Sequence, residues 1–341
     1  MLRIRSWLTL AALLSLCTPL VRAQTPLRIA TFNAEILKAP GSRAGSLSKY
    51  RWDVAREAQF ERVAAVIEAI NPDILNLVEV TSQDSVDLLI KILHEKGLTR
   101  YQGYHVENND SFTSMDVALI SKYPPDEIKG QPIRTMWSEN DDPTWRETYR
   151  VVGRSGRASN RNGGISRNAV YLITIDDTKL GFLGLHLKSN PSDEAANAMR
   201  SAQAKISQRI VRQEITGRGY LPIVLGDLND YDPDVPDRDD ERDTLTTVVK
   251  DIKDFDRQQE GDELVNIAKL IPRQADRYTS FWDRNENGAR DPYDVFTMLD
   301  HILLPQELMP MVTRAFIFHS VDLETSDHRA VVVDLLLPEK K

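Results

Sequence analysis

The chain has 341 residues, a formal charge of −8 at pH 7 and a single cysteine, Cys17. This length allows a large hydrophobic core in one mixed domain or in two ordinary ones, and a single cysteine excludes a fold stabilised by intramolecular disulfides. The negative total charge disfavours unspecific binding to polyanions, although the local distribution of charge matters more than the sum.

The N-terminal segment has the features of a secretory signal peptide. Arg3 and Arg5 precede an apolar run over residues 7–16, and residues 21–23 resemble a small-residue cleavage site. The alternative, an uncleaved membrane anchor, is disfavoured because a bilayer-spanning helix needs roughly 18 to 20 apolar residues. We predict removal of residues 1–23, export, one domain over residues 24–341 and no stable membrane association afterwards.

The first half of this domain alternates apolar strands with amphipathic helices. Strands are predicted over residues 27–32, 74–78 and 115–121, and helices over residues 51–70 and from Ser82 to about Gly97. From Pro124 to Gly164 the apolar periodicity is lost, so we predict a long surface excursion there.

The second half begins with a hairpin signal and ends in three strands. The predicted elements are strands over 168–176 and 180–186, a helix over 192–217, a strand over 221–225, a short helix over 244–253, and strands over 299–304, 315–320 and 330–337. No repeat or Pro/Ser-rich linker divides the chain. The irregular alternation of helices and strands favours one domain of the α+β class.

Polar residues stand at the ends of several apolar strands. Residues 226–230 (Gly-Asp-Leu-Asn-Asp) follow one strand, residues 326–328 (Ser-Asp-His) precede another, and the two earliest strands end on Asn33 and Glu79. A carboxylate at the rim of a buried sheet is tolerated when it is paired or bound to a metal. A ligand set made of oxygen atoms favours Mg²⁺, Mn²⁺ or Ca²⁺ over zinc.

Two further polar residues adjoin predicted strands, namely His186 and Asp300. Ordinary structural alternatives exist for several of these positions. Asn33 and Asn229 could cap strand ends through hydrogen bonds from side chain to backbone, and Asp300 could be the solvated end of an edge strand.

In this order along the chain, these motifs resemble the endonuclease/exonuclease/phosphatase superfamily, which includes deoxyribonuclease I, exonuclease III, neutral sphingomyelinases and inositol polyphosphate 5-phosphatases. The resemblance spans residues 27–337. It implies a four-layer α/β sandwich with two packed mixed β-sheets flanked by helices. It also implies a metal-dependent hydrolase of phosphate esters, and we expect residues 24–341 to act as a monomeric catalytic domain.

The resemblance implies roles for the residues around the cation. Glu79 would bind the divalent ion, Mg²⁺ or Mn²⁺, with Asn33 and Asp327 close to it. A bound cation would stabilise the charge that develops on the phosphate in the transition state. Asp227 would handle the proton of the attacking water or of the leaving oxygen, and Asn229 would donate a hydrogen bond to the phosphate.

The same resemblance implies two histidines at the phosphate. Asp300 would orient His328, because a carboxylate that holds imidazole in one tautomer makes it a better proton acceptor. His186 would act as a donor or acid on the phosphate, with possible support from Asp116. Arg167 would contact the phosphate directly.

An arginine cluster lies in and beside the predicted excursion, with Glu147 as the acid that opposes it: Arg146, Arg150, Arg154, Arg157, Arg161 and Arg167. Such a basic arm can follow a phosphate backbone, which favours a nuclease of low sequence specificity acting on DNA or RNA. The alternatives are a solvated surface loop for the arm, a phosphatase or sphingomyelinase-like phosphodiesterase for the activity, and an inactive binding module for the whole chain.

One acidic segment matches the template of a calcium-binding loop at six positions: Asp283, Asn285, Asn287, Gly288, Asp291 and Asp294. It departs from the template at its last position, where aspartate replaces the usual glutamate. The flanking residues also favour strands rather than helices. A structural Ca²⁺ site and an Asn-Gly hairpin turn are therefore the two interpretations of this segment.

Overall fold

Two facing β-sheets form the centre of the computed structural model, which describes residues 24–42, 44–46, 53–139, 142–152, 156–239, 246–285, 287 and 291–338. The predicted signal peptide lies outside these residues and stays a prediction. None of the described helices is both long enough and apolar enough to cross a membrane.

The first sheet has six strands. In spatial order they are β14 (Val312–Phe318), β15 (Ala330–Pro338), β1 (Gln24–Leu37), β2 (Ile74–Val80), β4 (Asp116–Ser121) and β3 (Gln102–His105). Strands β1 and β2 are parallel, and the other neighbours are antiparallel. Helix α1 (Asp53–Ile70) provides the long crossover that a parallel pair requires.

The second sheet has five strands. In spatial order they are β10 (Val265–Asn266), β13 (Asp300–Leu304), β9 (Leu221–Asp227), β8 (Thr178–His186) and β7 (Asn168–Ile175). Here β8 and β9 are parallel, and helix α3 (Glu194–Ile210) joins them. The tight β7–β8 hairpin confirms the hairpin predicted from the sequence.

The main core lies between the two sheets because alternate residues of each strand face inward. Ile29 of β1 belongs to this inter-sheet cluster together with Phe182 and Leu225 of the second sheet. The sheets are in close contact at Gly184, where an added Cβ would lie 2.1 Å from Oδ1 of Asn76. Glycine therefore allows the two sheets to meet at this point.

Helices cover the outer faces of both sheets, which gives four layers. Helices α1 and α2 (Gln83–Glu95) pack on the first sheet, and α3 and α4 (Val248–Lys253) pack on the second. Ser82 caps α2 as predicted, through a hydrogen bond from the Ser85 N–H to its side chain. The predicted four-layer α/β sandwich with two mixed sheets is confirmed.

Two small hairpins lie outside the main sheets. Strands β5 (Glu147–Val152) and β6 (Ala158–Gly163) pair within the predicted surface excursion, where the sequence indicated no strand. Strands β11 (Ser280–Trp282) and β12 (Val295–Thr297) flank the acidic segment, as expected from the sequence.

Strand direction explains why the polar strand ends meet. The parallel pairs β1–β2 and β8–β9 end at one edge of the sandwich, whereas the antiparallel strands β4, β7, β13 and β15 begin there. The residues at the ends of the first group and before or at the starts of the second group therefore share one rim.

Candidate active site

The register of the second sheet places three predicted site residues side by side. Asp227, the last residue of β9, is the ladder partner of both His186 on β8 and Asp300 on β13. Gly226 precedes it with φ +130°, and an added Cβ would lie 2.1 Å from the backbone oxygen of Leu185. Only glycine therefore fits this backbone and delivers the Asp227 carboxylate to the rim.

His328 and Asp300 form a buried pair. Nδ1 of His328 lies 2.6 Å from Oδ2 of Asp300, so the ring donates from Nδ1 to the carboxylate. Ser326 Oγ accepts from the His328 N–H, and Thr279 Oγ1 accepts from the Asp300 N–H. These backbone contacts hold both members of the pair, and they leave Nε2 of His328 at 3.9 Å from an oxygen of Asp327.

Asn33 connects the two sheets at the rim. Its side-chain nitrogen donates to Glu79 at 3.1 Å and to Asp227 at 3.2 Å, while its side-chain oxygen accepts from the N–H of Glu35. Asn33 therefore positions two carboxylates, and its predicted role as an oxygen ligand of the cation stays a prediction.

Irregular backbone aims Asn33 and Glu79 into the site. The β1–β2 ladder shifts register after Asn33, and the β2–β4 ladder shifts at Glu79, which has φ +65°. Bulges of this kind redirect side chains, and a non-glycine residue with positive φ stores conformational strain that concentrates at functional sites.

His186 and Arg167 line the opposite wall. Nε2 of His186 lies 3.8 Å from a Glu79 oxygen, 3.7 Å from an Asp227 oxygen and 3.2 Å from an Arg167 nitrogen. Arg167 also donates to the backbone oxygen of Leu187. The structure thus brings His186 against the two carboxylates and places Arg167 directly beside it; both residues were predicted to contact phosphate.

Asp116 does not have the place that the resemblance implied. Its Oδ2 lies 3.0 Å from Nε2 of His105, so it pairs with His105, and no hydrogen bond joins it to His186 among the described residues. The β3–β4 register explains this correction, because it sets His105 opposite Ala118, two residues from Asp116 and on the same face.

The two remaining predicted residues lie at different depths. Asn229 is buried with φ +49°, and it donates from its N–H to Asp227 and from its side chain to the Leu187 oxygen. Asp327 is half exposed at the mouth, and its N–H donates to Glu35. The expected contacts of Asn229 with phosphate and of Asp327 with a cation stay predictions.

Burial and like charge raise the pKa values of two carboxylates. The pKa of Asp227 is raised to about 7, first by burial and then by the charge of Asp300. Burial also raises the pKa of Glu79, and the charge of Asp327 adds to this shift although the hydrogen bond from Asn33 opposes it. In both groups burial is the first cause, because desolvation disfavours the charged form of a carboxyl.

The two histidines shift in opposite directions. Burial and then the charge of Arg167 lower the pKa of His186 well below its usual value. Burial alone would lower the pKa of His328 too, but the charge of Asp300 and the hydrogen bond to it outweigh burial and raise the pKa well above the usual value. His186 is thus neutral and His328 cationic near neutral pH.

The donor set fits a divalent cation that prefers oxygen ligands. Ligand atoms of Asp227, Asp300 and His328 lie within 4.8 Å of one another, and Asp300 Oδ1 has no hydrogen-bond partner in the part of the chain that the structure describes. Nδ1 of His328 is already bonded to Asp300. Among the described residues, Glu79 accepts from the Asn33 side chain at 3.1 Å and lies 3.8 Å from Nε2 of His186, which leaves carboxylate lone pairs for a cation.

Three supporting residues escaped the sequence analysis. Thr279 holds the backbone of Asp300, and Glu35 accepts from Asp327; neither stands in a motif that would reveal it. Arg200 is fully buried and pairs at 2.8 Å with Asp230, the last residue of the 226–230 motif. An arginine in the polar stripe of α3 gives no signal that it is buried.

Only part of the predicted arginine cluster lies at the candidate active site, and the other described members lie along the preceding segment. Arg150, Arg157 and Arg161 are exposed on the β5–β6 hairpin, which packs on α3 through ion pairs from Glu147 to Lys205 and Arg209. Residues 164–167 connect this hairpin to the site. Arg154 lies outside the described residues.

The predicted calcium-loop residues lie at the tip of the β11–β12 hairpin. Asp283, Asn285, Asn287, Asp291 and Asp294 are connected there by hydrogen bonds. Gly288 lies outside the described residues.

Comparison with known families identifies one match. A family model described as the endonuclease/exonuclease/phosphatase family matches residues 30–328. A comparison with curated protein sequences finds no match.

Solved structures share the fold at low sequence identity. An AP endonuclease from Archaeoglobus fulgidus superposes with a TM-score of 0.57 at 16% identity, covering 90% of this chain and 98% of its own. An endonuclease/exonuclease/phosphatase family protein from Leptotrichia buccalis gives 0.54 at 16% identity, with the same shares of 90% and 98%. TDP2 from D. rerio, complexed with a single-strand DNA product, gives 0.51 at 16% identity over 91% and 98%.

Proposed function

Because the chain belongs to the endonuclease/exonuclease/phosphatase family, we propose that it is an exported, metal-dependent nuclease of low sequence specificity that hydrolyses DNA or RNA. One observation carries the proposal. Glu79, Asp227, His186 and the His328–Asp300 pair come from distant parts of the chain and meet at one rim of the sandwich. A phosphodiester bound there would contact all of them.

The protonation states suggest how these residues divide the chemistry. Asp227 has a pKa raised to about 7, so its carboxylate can accept the proton of an attacking water and later release it. His328 is cationic while Asp300 holds its Nδ1, and Nε2 can therefore donate to a phosphate oxygen. Arg167 adds a fixed positive charge beside His186. Charge that develops on the phosphate would be stabilised on both sides.

The partly buried Glu79 carboxylate, held by Asn33 and facing His186, supports a catalytic divalent cation, Mg²⁺ or Mn²⁺, at this position, since a cation would favour its charged form. Such an ion, when bound, would act as a Lewis acid on a phosphate oxygen. Asp327 lies at the mouth, within the electrostatic reach of Glu79, and would contribute to the same ion. Asn33 would keep Glu79 and Asp227 at a fixed separation.

Two observations favour a nucleic acid over a small phosphate ester. Exposed arginines on the β5–β6 hairpin, which ends four residues before Arg167, can follow a phosphate backbone. TDP2 from D. rerio, which shares the fold, is complexed with a single-strand DNA product. The second candidate is a phosphatase or sphingomyelinase-like phosphodiesterase, because the same rim chemistry would serve any phosphate ester.

The decisive experiment compares substrates in parallel. The protein is incubated with plasmid DNA, RNA, sphingomyelin and inositol phosphates, in Mg²⁺ and in EDTA. We expect nucleic-acid hydrolysis that EDTA abolishes and Mg²⁺ or Mn²⁺ restores. Activity that persists in chelator would contradict the metal, and hydrolysis restricted to lipid or inositol phosphate would favour the second candidate. Cleavage of none of the four would favour an inactive binding module.

Export rests on the sequence of residues 1–23. N-terminal sequencing of protein from the medium or periplasm of an expressing bacterium tests it. We expect a mature terminus directly after Ala23, and full-length protein retained in the cytoplasm would contradict export.

A further inference from the structure

Five polar side chains converge in one cluster at the tip of the β11–β12 hairpin. Side-chain nitrogens of Asn285 and Asn287 lie 2.8 Å and 2.7 Å from Oδ2 of Asp291. Oδ1 of Asp283 accepts from the Asn287 N–H, and Oδ2 of Asp294 accepts from the Asp291 N–H. Positions 1, 3, 5, 9 and 12 of the calcium-loop template thus form one cluster, although strands flank it.

An unpartnered buried oxygen points to a ligand in this cluster. Asp294 is 7% exposed, and its Oδ1 has no hydrogen-bond partner within the described parts of the chain. Its other oxygen faces the Asp291 N–H, so the carboxylate is directed into the loop. A buried carboxylate oxygen without a donor is costly, and a bound cation would remove this cost.

We propose that Asp283, Asn285, Asn287, Asp291 and Asp294 bind a structural Ca²⁺ ion. Three carboxylates and two side-chain amides supply only oxygen ligands once the amides turn their oxygens inward. Ca²⁺ accepts irregular oxygen shells, whereas Mg²⁺ demands near-octahedral geometry at shorter distances. The aspartate at the last position shortens the reach of that carboxylate relative to glutamate.

An ion bound in this loop would also affect the backbone at the rim, because the hairpin contacts the residues around His328. The Phe281 N–H donates to the backbone oxygen of Asp327, and the Arg329 N–H donates to the backbone oxygen of Thr279. The start of this hairpin is therefore bonded to the residues on both sides of His328. Ser280 also forms a β-bridge with His328. An ion that orders the hairpin therefore also fixes the backbone around the His328–Asp300 pair.

Terbium luminescence tests the site without any hydrolysis assay. Trp282 is 58% exposed, precedes Asp283, and can sensitise Tb³⁺ bound in the loop. We expect saturable luminescence that Ca²⁺ displaces and equal Mg²⁺ does not. Asp294→Asn and Asp291→Asn should each weaken Tb³⁺ binding by about tenfold or more, since affinity follows ligand charge. Glu260→Gln, an exposed acid outside the loop, is the matched control.

Glu79→Gln should leave the luminescence intact, which distinguishes binding in the loop from binding at the rim. Trp282→Phe should remove most of the luminescence, because Trp282 is the sensitiser. Ca²⁺ should also raise the melting temperature of the wild type but not of Asp294→Asn, which reports on the site independently of luminescence. The proposal is overturned by a signal that disappears in Glu79→Gln but persists in the loop variants, by equal competition from Mg²⁺, or by no binding. None of these outcomes bears on nuclease activity, so the two proposals fail separately.

Discussion

Two buried histidine–aspartate pairs lie at the same edge of the sandwich, yet they differ in the ring nitrogen they use. His328 bonds to Asp300 through Nδ1 at 2.6 Å, and His105 bonds to Asp116 through Nε2 at 3.0 Å. In both pairs the side chains are nearly excluded from solvent. The two pairs therefore have the same residue types and similar burial, and they differ in the ring nitrogen that bonds to the aspartate.

Under the proposed function, this difference separates a reactive pair from a structural one. Nε2, the outer ring nitrogen of His328, accepts or donates no hydrogen bond among the described residues and would be available to a substrate, and the ring is close enough to Asp227 for their charges to interact. His105 commits Nε2 to Asp116, so its outer nitrogen is already satisfied within the first sheet. A histidine–aspartate pair is thus informative about function only when the free nitrogen and its surroundings are known.

Replacing each histidine with alanine is the most direct test of the comparison, and we expect the largest effect for His328. His328→Ala should lower turnover by about 10²- to 10⁴-fold, because it removes both a proton donor and a charge at the phosphate. His105→Ala should leave turnover near the wild-type value. Initial rates at saturating plasmid and melting temperatures would be measured for both. Equal reductions in the two folded variants would mean that both pairs take part in catalysis.

Neutralising each aspartate sharpens the comparison further. Asp300→Asn should lower kcat by about 10²-fold with little change in KM, since it disturbs the orientation and charge of His328 without removing a ligand for the substrate. Asp116→Asn should have little effect on either constant. An increase in KM alone for Asp300→Asn would assign that residue to substrate binding instead.

A third test asks whether the His328–Asp300 pair depends on strand β9, which pairs with the strand that carries Asp300. Gly226→Ala should destabilise the protein by about 2 kcal/mol or more, because the residue has positive φ and the new Cβ would clash with the Leu185 backbone. Gly130→Ala is the matched control, with φ +76° and no heavy atom near the added Cβ, and should cost about 1 kcal/mol. Urea unfolding measures both. Equal destabilisation of the two variants would show that the clash with Leu185 relaxes easily.

The sequence predicted most of the fold because the buried strands carry strong apolar signals. It missed the β5–β6 hairpin for a physical reason. Among its described residues, only Val151 and Gly163 are buried, so little alternation of apolar and polar residues marks either strand. A hairpin that packs mainly through Glu147 and its two ion pairs has no apolar pattern to detect.

The sequence predicted which residues lie at the rim, but it did not predict which of them contact one another. Carboxylates at the ends of apolar strands indicated Glu79 and Asp227, whereas the pairing of Asp227 with Asp300 depends on the β9–β13 register, which no local pattern specifies. The same limit caused the error at Asp116, since the β3–β4 register decides that His105 is its neighbour. Strand ends can be inferred from composition, but registers require the folded sheets.

The smallest effect concerns substrate binding away from both pairs. Arg150, Arg157 and Arg161 are exposed, and no ion pair joins them to other residues within the described ranges. Replacing all three with glutamine should weaken DNA binding several-fold and reduce the slope of log K against log salt by about 0.9 for each phosphate of duplex DNA that the variant no longer neutralises. Arg257→Gln with Arg273→Gln, two exposed arginines elsewhere, is the control and should change neither quantity. An unchanged slope in the triple variant would mean that the hairpin is an ordinary solvated surface, and that the His328 side of the rim alone selects the substrate.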